Sequence, residues 1–175
     1  MSVETITAIV AEVPDPELPM LTLADLGILR SVEVVEQRVR ITITPTYSGC
    51  PALAVMRADL CARLHEAGCH DVEVRIALSP AWSTDWITQR GLRKLAEHGI
   101  APPSRRRTAP VALSLDPPTA ATSPMPSVWM SPAVVPCPRC GATTTTELSR
   151  FGATACTALW RCGACLEPFP HVKAI

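Results

Sequence analysis

Four of the eight cysteines fall into two Cys-x-x-Cys pairs, Cys137-Pro-Arg-Cys140 and Cys162-Gly-Ala-Cys165, with residues 141–161 between them. Each such turn aims two thiols at one point, and a hairpin built from the intervening segment brings the two points together. Four thiolates then make a closed tetrahedral shell, the donor set of structural Zn²⁺. Mononuclear iron and iron–sulfur clusters use four thiolates too, so the spacing leaves them open beside zinc. A closed shell has no free coordination position, which favours a structural over a catalytic metal. A module this small also buries too little apolar surface to fold without a staple.

The second run with chemical content is Thr46-Tyr-Ser-Gly-Cys50-Pro51, which lies between a strand pattern and a helix pattern. Cys50 is expected at the helix N-terminus, beside unpaired amides and the positive dipole end, where a thiol pKa falls. Such a thiolate serves as a nucleophile or a labile metal ligand. The competing reading is a cysteine that merely occupies the start of a helix. Thr46 and Ser48 are candidate supports in the same run. Asp15, Glu17 and Asp25 occupy loop-like positions, where acid–base or metal roles compete with turn formation and capping. Cys61 and Cys69 read as core and helix-end thiols. Cys156 is a spare thiol between the ribbon pairs, Trp82 and Trp86 read as packing anchors, and the four histidines have no ligand spacing among themselves.

The elements that must position these residues follow from periodicity. Val3 to Val13 predicts a short helix, ended by Pro14-Asp15-Pro16. Ser31 to Glu36 and Val39 to Thr44 predict two strands joined by a tight turn at Gln37; Val39, Ile41 and Ile43 alternate with polar residues. Pro51 to Gly68 predicts a helix with Pro51 in its first position. Leu53, Met56, Leu60, Leu64 and Ala67 form its apolar face, and Gly68 its C-cap. Val72 to Leu78 alternates as a third strand. Asp85 to His98 predicts a last helix, capped by Asp85 and stopped by Gly99. Strand, helix, strand in that order allows a right-handed crossover. The order α-β-β-α-β-α gives a small α+β domain over residues 1–99. Residues 100–136 hold nine of the eighteen prolines and read as an extended linker, with Arg105-Arg106-Arg107 as a solvated charge run. Residues 137–175 form the four-cysteine ribbon.

With 175 residues the chain has room for one ordinary domain and a small module, and 47% of it is apolar. The 16 basic and 16 acidic residues balance, which argues against a nucleic-acid binder. No segment approaches the roughly 20 apolar residues of a membrane span. The first thirteen residues carry Glu4 and Glu12 and no Lys or Arg, unlike a signal peptide, so the expected location is the cytoplasm with thiols reduced. A phosphate-binding glycine loop and a nucleophile–base signature are both missing from the sequence, so no independent catalysis is expected.

The runs Asp15-Pro-Glu17, Asp25-Leu-Gly27 and Thr44-Pro-Thr-Tyr-Ser-Gly-Cys-Pro-Ala52 resemble the MIP18 family (DUF59), which is linked to iron–sulfur cluster assembly. Further runs are similar to one branch of that family: Ser79-Pro-Ala-Trp82, Thr84-Asp-Trp-Ile87, Phe151-Gly-Ala-Thr-Ala-Cys156, Arg161-Cys162 and Glu167-Pro-Phe169. That branch comprises small accessory subunits of ring-1,2-phenylacetyl-CoA epoxidase systems in aerobic phenylacetate catabolism. The resemblance implies a MIP18-like α+β domain followed by a four-cysteine zinc ribbon, with Cys50 at the family's reactive cysteine. It implies a non-catalytic maturation role, with a structural Zn²⁺ and a transient Fe or Fe–S cluster. The implied partners are the oxygenase subunits, their [2Fe–2S] flavin reductase and Fe–S assembly proteins. One thiolate cannot hold a cluster alone, so a homodimer or a client must supply further ligands. A docking subunit without chemistry of its own is the alternative.

Overall fold

The computed structural model describes residues 1–103 and 134–174. Most of the Pro-rich segment, with Arg105–Arg107, lies outside the described residues. The first part runs α1 (Val3–Ala11), β1 (Leu29–Val35), β2 (Arg38–Ile43), α2 (Leu53–Glu66), β3 (Val72–Ile76), a 3-10 turn (Thr84–Trp86) and α3 (Gln89–Glu97). This is the α-β-β-α-β-α order that periodicity predicts, in a mixed α+β fold. β1 and β2 pair antiparallel through a two-residue turn in which Glu36 and Gln37 both take positive φ, 52° and 76°. That backbone matches the twist of the flanking strands. β2 and β3 run parallel, Val39 opposite Val72 and Ile43 opposite Ile76, with α2 as the crossover.

One face of this sheet carries the core. Val39, Ile41 and Ile43 are buried against Ile6 and Val10 of α1 and Met56, Leu60 and Leu64 of α2. Each such side chain contributes about 1.5–3 kcal/mol on burial. The apolar stripe of α2 is narrower than its sequence suggests, for Leu53 is half-buried and Ala67 exposed. Boundaries differ as well. α2 begins at Leu53 rather than Pro51, because Pro51 and Ala52 form a turn before it. α3 is capped by Thr88, whose hydroxyl accepts from the Gly91 amide, and not by Asp85, which sits in the preceding 3-10 turn. Gly68 does follow α2 in the left-handed region, at φ +86°.

Asp25 ties the loop before β1 to α3. Its Oδ2 accepts from the Thr22 amide while Thr22 Oγ1 accepts from the Asp25 amide, a reciprocal capping pair. Arg90 Nε donates to Oδ1 at 2.6 Å and Lys94 Nζ to Oδ2 at 2.8 Å. Burial alone would raise the pKa of this carboxyl, but the Lys94, Arg90 and Thr22 hydrogen bonds outweigh it and hold it at about 2. Nearby, Gly27 sits at φ +67°, and a Cβ there would stand 2.5 Å from the Trp86 carbonyl oxygen. Only glycine lets the loop lie this close to the 3-10 turn.

The C-terminal part is a three-stranded antiparallel sheet in the order β4 (Thr145–Ser149), β5 (Thr157–Cys162), β6 (Pro168–Val172). Its small core gathers Val135, Cys137, Ala158, Trp160, Cys162 and Phe169. The two parts meet directly. Just after α3, the Ala101 amide donates to the Pro170 carbonyl at 2.8 Å, and the Val172 amide donates to the Ala101 carbonyl at 3.0 Å. Ala101 is buried in the core of the ribbon, and Val172 in the core of the first domain.

Asp25→Asn should therefore lower stability by about 2 kcal/mol, a Tm drop of roughly 4–8 °C. Asp25 has a folded pKa below its ordinary value of 3.8. Its contribution is thus fully present above about pH 4 and is lost as pH falls toward 2. Thermal melts of both proteins from pH 6 to pH 2.5 should draw together toward the acid end.

Candidate metal centre and thiol cavity

Cys137, Cys140, Cys162 and Cys165 converge as their spacing predicts. All four sulfurs lie within 4.8 Å of one another. Cys137 and Cys165 sulfurs are 3.8 Å apart, Cys140 and Cys162 sulfurs 3.5 Å, and none of the four is in a disulfide. A tetrahedron of thiolates at the usual Zn–S distance has edges of about 3.8 Å, so the donor set fits one such ion. Backbone geometry builds the turns. The Gly141 amide donates to the Cys137 carbonyl with Gly141 at φ +75°, and the Gly163 amide donates to the Thr144 carbonyl at 2.7 Å. The amides of Cys165 and Ala164 each donate to Cys162 Sγ at 3.4 Å and hold its thiol down to about 6. The Glu167 amide favours the Cys165 thiolate, but burial and the thiols of Cys162, Cys140 and Cys137 oppose it, and Cys165 is pushed up to about 12. Four thiolates this close repel one another, and a divalent cation among them removes the conflict.

Cys50 lies elsewhere, buried at 8% exposure in the turn before α2. Its thiol does not behave as the helix-start argument predicts. Burial pushes its pKa up, the Ala52 amide opposes this only in part, and the charges of Glu17 and Asp15 add to the rise. A partial dipole charge loses here to desolvation and two carboxylates. The thiol is therefore protonated at rest.

Cys50 lines a small cavity of about 20 Å³ with Asp15, Glu17 and Thr46. Trp82 walls it on one side, its indole Nε1 donating to the Leu26 carbonyl at 2.9 Å. Asp15 is buried, and its Oδ1 accepts the amides of both Glu17 and Leu18. Burial raises the pKa of Asp15 despite these bonds, and burial and Asp15 together raise that of Glu17. The other two sequence candidates stand apart: Asp25 is engaged with Arg90 and Lys94, and Ser48 is exposed and not on the cavity wall. Two wall residues come from the ribbon, Cys156 and Val172. Cys156 stood in the sequence as a spare thiol within the run Phe151–Cys156 that carries the resemblance, and nothing there linked it to Cys50, because it is more than a hundred residues away and only the seated ribbon brings it there.

Comparison with known proteins agrees with both halves. Residues 4–76 match the family described as "Iron-sulfur cluster assembly protein", and residues 121–173 match the family described as "PaaD zinc beta ribbon domain". The crystal structure titled as a domain of unknown function DUF59 from Bacillus anthracis superposes with a TM-score of 0.50 at 26% identity, over 53% of this chain and 90% of that one. The chain is thus an α+β domain of the DUF59 type that carries a C-terminal four-cysteine ribbon. It is 38% identical over 173 residues, 99% of this chain and 93% of the relative, to an Escherichia coli (strain K12) protein named as the D component of a "Putative 1,2-phenylacetyl-CoA epoxidase". The chain belongs to the PaaD family. No helix among the described residues is long and apolar enough to cross a membrane.

Purified protein should hold one metal ion per chain through the ribbon, and Cys162→Ala should lose it. Binding displaces thiol protons, so affinity should fall with falling pH, most steeply below about 6, where Cys162 too must give up a proton. Elemental analysis after dialysis against a chelator at pH 8 and at pH 5 checks both statements.

Proposed function

We propose that this protein is a non-catalytic accessory factor of a multicomponent phenylacetyl-CoA epoxidase, and that it assists assembly of an iron–sulfur or di-iron centre. In this reading residues 1–99 form the working domain, 100–136 the linker and 137–175 the ribbon. The observation that carries it is the near full-length match to the Escherichia coli epoxidase component, with the iron–sulfur assembly family on the first domain. Zn²⁺ is the ion we assign to the ribbon, on the closed shell and the fit of its edges to zinc–thiolate geometry. Cys50 is the labile iron ligand, with Asp15, Glu17 and Thr46 beside it on the cavity wall. The oxygenase subunits or their flavin reductase are the clients, and the working compartment is the cytoplasm.

One observation favours a second reading. Cys50 is covered and its pKa raised, which suits a thiol that waits rather than one that reacts freely. A docking subunit that stays in the oxygenase complex without handling metal would need no more than this.

Metal and sulfide content of wild type and Cys50→Ala, each purified without oxygen and offered iron and sulfide, separates the two. The carrier reading expects one firmly held zinc in both, with substoichiometric iron in wild type only. Zinc alone in both proteins would leave the docking reading in its place.

A further inference from the structure

The sheet of the ribbon has a covered face and an open one. Along β5, Ala158, Trp160 and Cys162 turn inward to the small core, while Leu159 and Arg161 turn outward. Residues directly opposite in the register share a face. Thr146, Arg161 and Pro168 therefore form one outward row across the sheet, and Leu159 and Pro170 a second. Thr146, Leu148, Arg161 and Leu166 line an open groove of about 350 Å³ on this side, together with Cys162 and Gly163 of the second Cys-x-x-Cys turn. Leu148 is 53% exposed and Leu166 60%. A lone exposed leucine is ordinary, but two on one groove, beside outward rows of leucine and proline, make an apolar patch.

Arg161 is the one charged residue lining this groove. Its Nε donates to the Leu166 carbonyl at 3.4 Å, which tethers the guanidinium to the groove, and no carboxylate among the described residues pairs with it. We propose that the groove is a docking surface for a protein partner that presents a carboxylate among apolar side chains, the carboxylate meeting Arg161 and the apolar groups meeting Leu148 and Leu166. It rests on the accessory reading, for which it names the place where the client binds, and not on any role of Cys50.

Charge complementarity selects this occupant. A purely apolar partner would strip water from the guanidinium and leave it unpaired, which is costly. A carboxylate restores the lost hydrogen bonds, because the planar fork of Arg fits it bidentately. The leucines around the pair exclude water from it, the setting in which an Arg anchor contributes most to an interface. A second copy of this chain fits badly. In a two-fold pairing the groove meets itself, and it holds no carboxylate to receive the facing Arg161. A nucleic acid fits no better, for one guanidinium among leucines is not a phosphate track.

The test uses zinc-loaded full-length protein and two purified probes, the oxygenase component and the flavin reductase of the epoxidase system, with binding followed by calorimetry. Wild type should bind one of them, and more weakly as salt rises, because an ion pair is part of the contact. Arg161→Glu should weaken binding by about tenfold or more. Arg161→Met should also bind more weakly and lose most of the salt dependence. Leu148→Asp, which puts a charge on the apolar wall, should cost about tenfold. Arg93→Glu, at an exposed position on α3, should match wild type. Unchanged zinc content and melting of each variant report an intact ribbon. If wild type binds and both Arg161→Glu and Leu148→Asp bind equally well, the docking surface is wrong and the accessory reading stands. If wild type binds neither component, both fall. If sedimentation shows a wild-type dimer that Leu148→Asp dissociates, the groove joins copies of this chain and the proposal is wrong.

Discussion

The four-thiolate metal centre is the constraint on which the rest depends. β4, β5 and β6 enclose a core of few side chains, led by Trp160 and Phe169. Such a core does not hold a fold together without a cross-link. An ion held by the four thiols would tie the turn before β4 to the turn after β5 and so fix the register of the sheet. With the sheet fixed, β6 presents its backbone to Ala101, and two hydrogen bonds seat the ribbon on the first domain. Seating in turn brings Cys156 and Val172 to the wall of the Cys50 cavity. Through this chain of contacts an ion held at one end of the ribbon would bear on the surroundings of a thiol in the other domain.

Electrostatics gives the two thiol groups opposite characters. In the ribbon, amides aimed at Cys162 Sγ favour the thiolate, and a cation held among the four sulfurs would complete the arrangement. Around Cys50, burial and two carboxylates favour the neutral thiol. The first is built to keep a metal. The second is uncharged at rest. Asp25 belongs to neither. It pairs with Arg90 and Lys94 and so holds the loop that follows Asp15 and Glu17 against α3.

Much of this was legible in the sequence. The two Cys-x-x-Cys pairs declared the metal centre because local turn geometry alone converges each pair of thiols. The β2-α2-β3 unit was legible because its apolar period switches from two to about four and back. Three things were hidden for physical reasons. Cys50 follows burial and two carboxylates, whereas sequence position reveals only the helix start. The partners of Asp25 lie more than sixty residues away in α3, so its residue type suggested a turn but not a clasp. Cys156 belonged to a recognisable run, but its place beside Cys50 was hidden, because that place is created by Ala101 pairing with β6, an event that no periodicity encodes.

The dependence of the Cys50 cavity on the metal-held ribbon can be measured directly. The quantity is the rate at which Cys50 is alkylated by a small maleimide, read by mass spectrometry of the Cys50 peptide, in zinc-loaded protein and after zinc removal. If the ribbon covers Cys50, alkylation is slow in the loaded protein and at least about tenfold faster once the zinc is gone, equivalent to about 1.4 kcal/mol of lost protection. Equal rates in the two forms would mean that the ribbon does not cover Cys50, and that the metal centre and the cavity are independent.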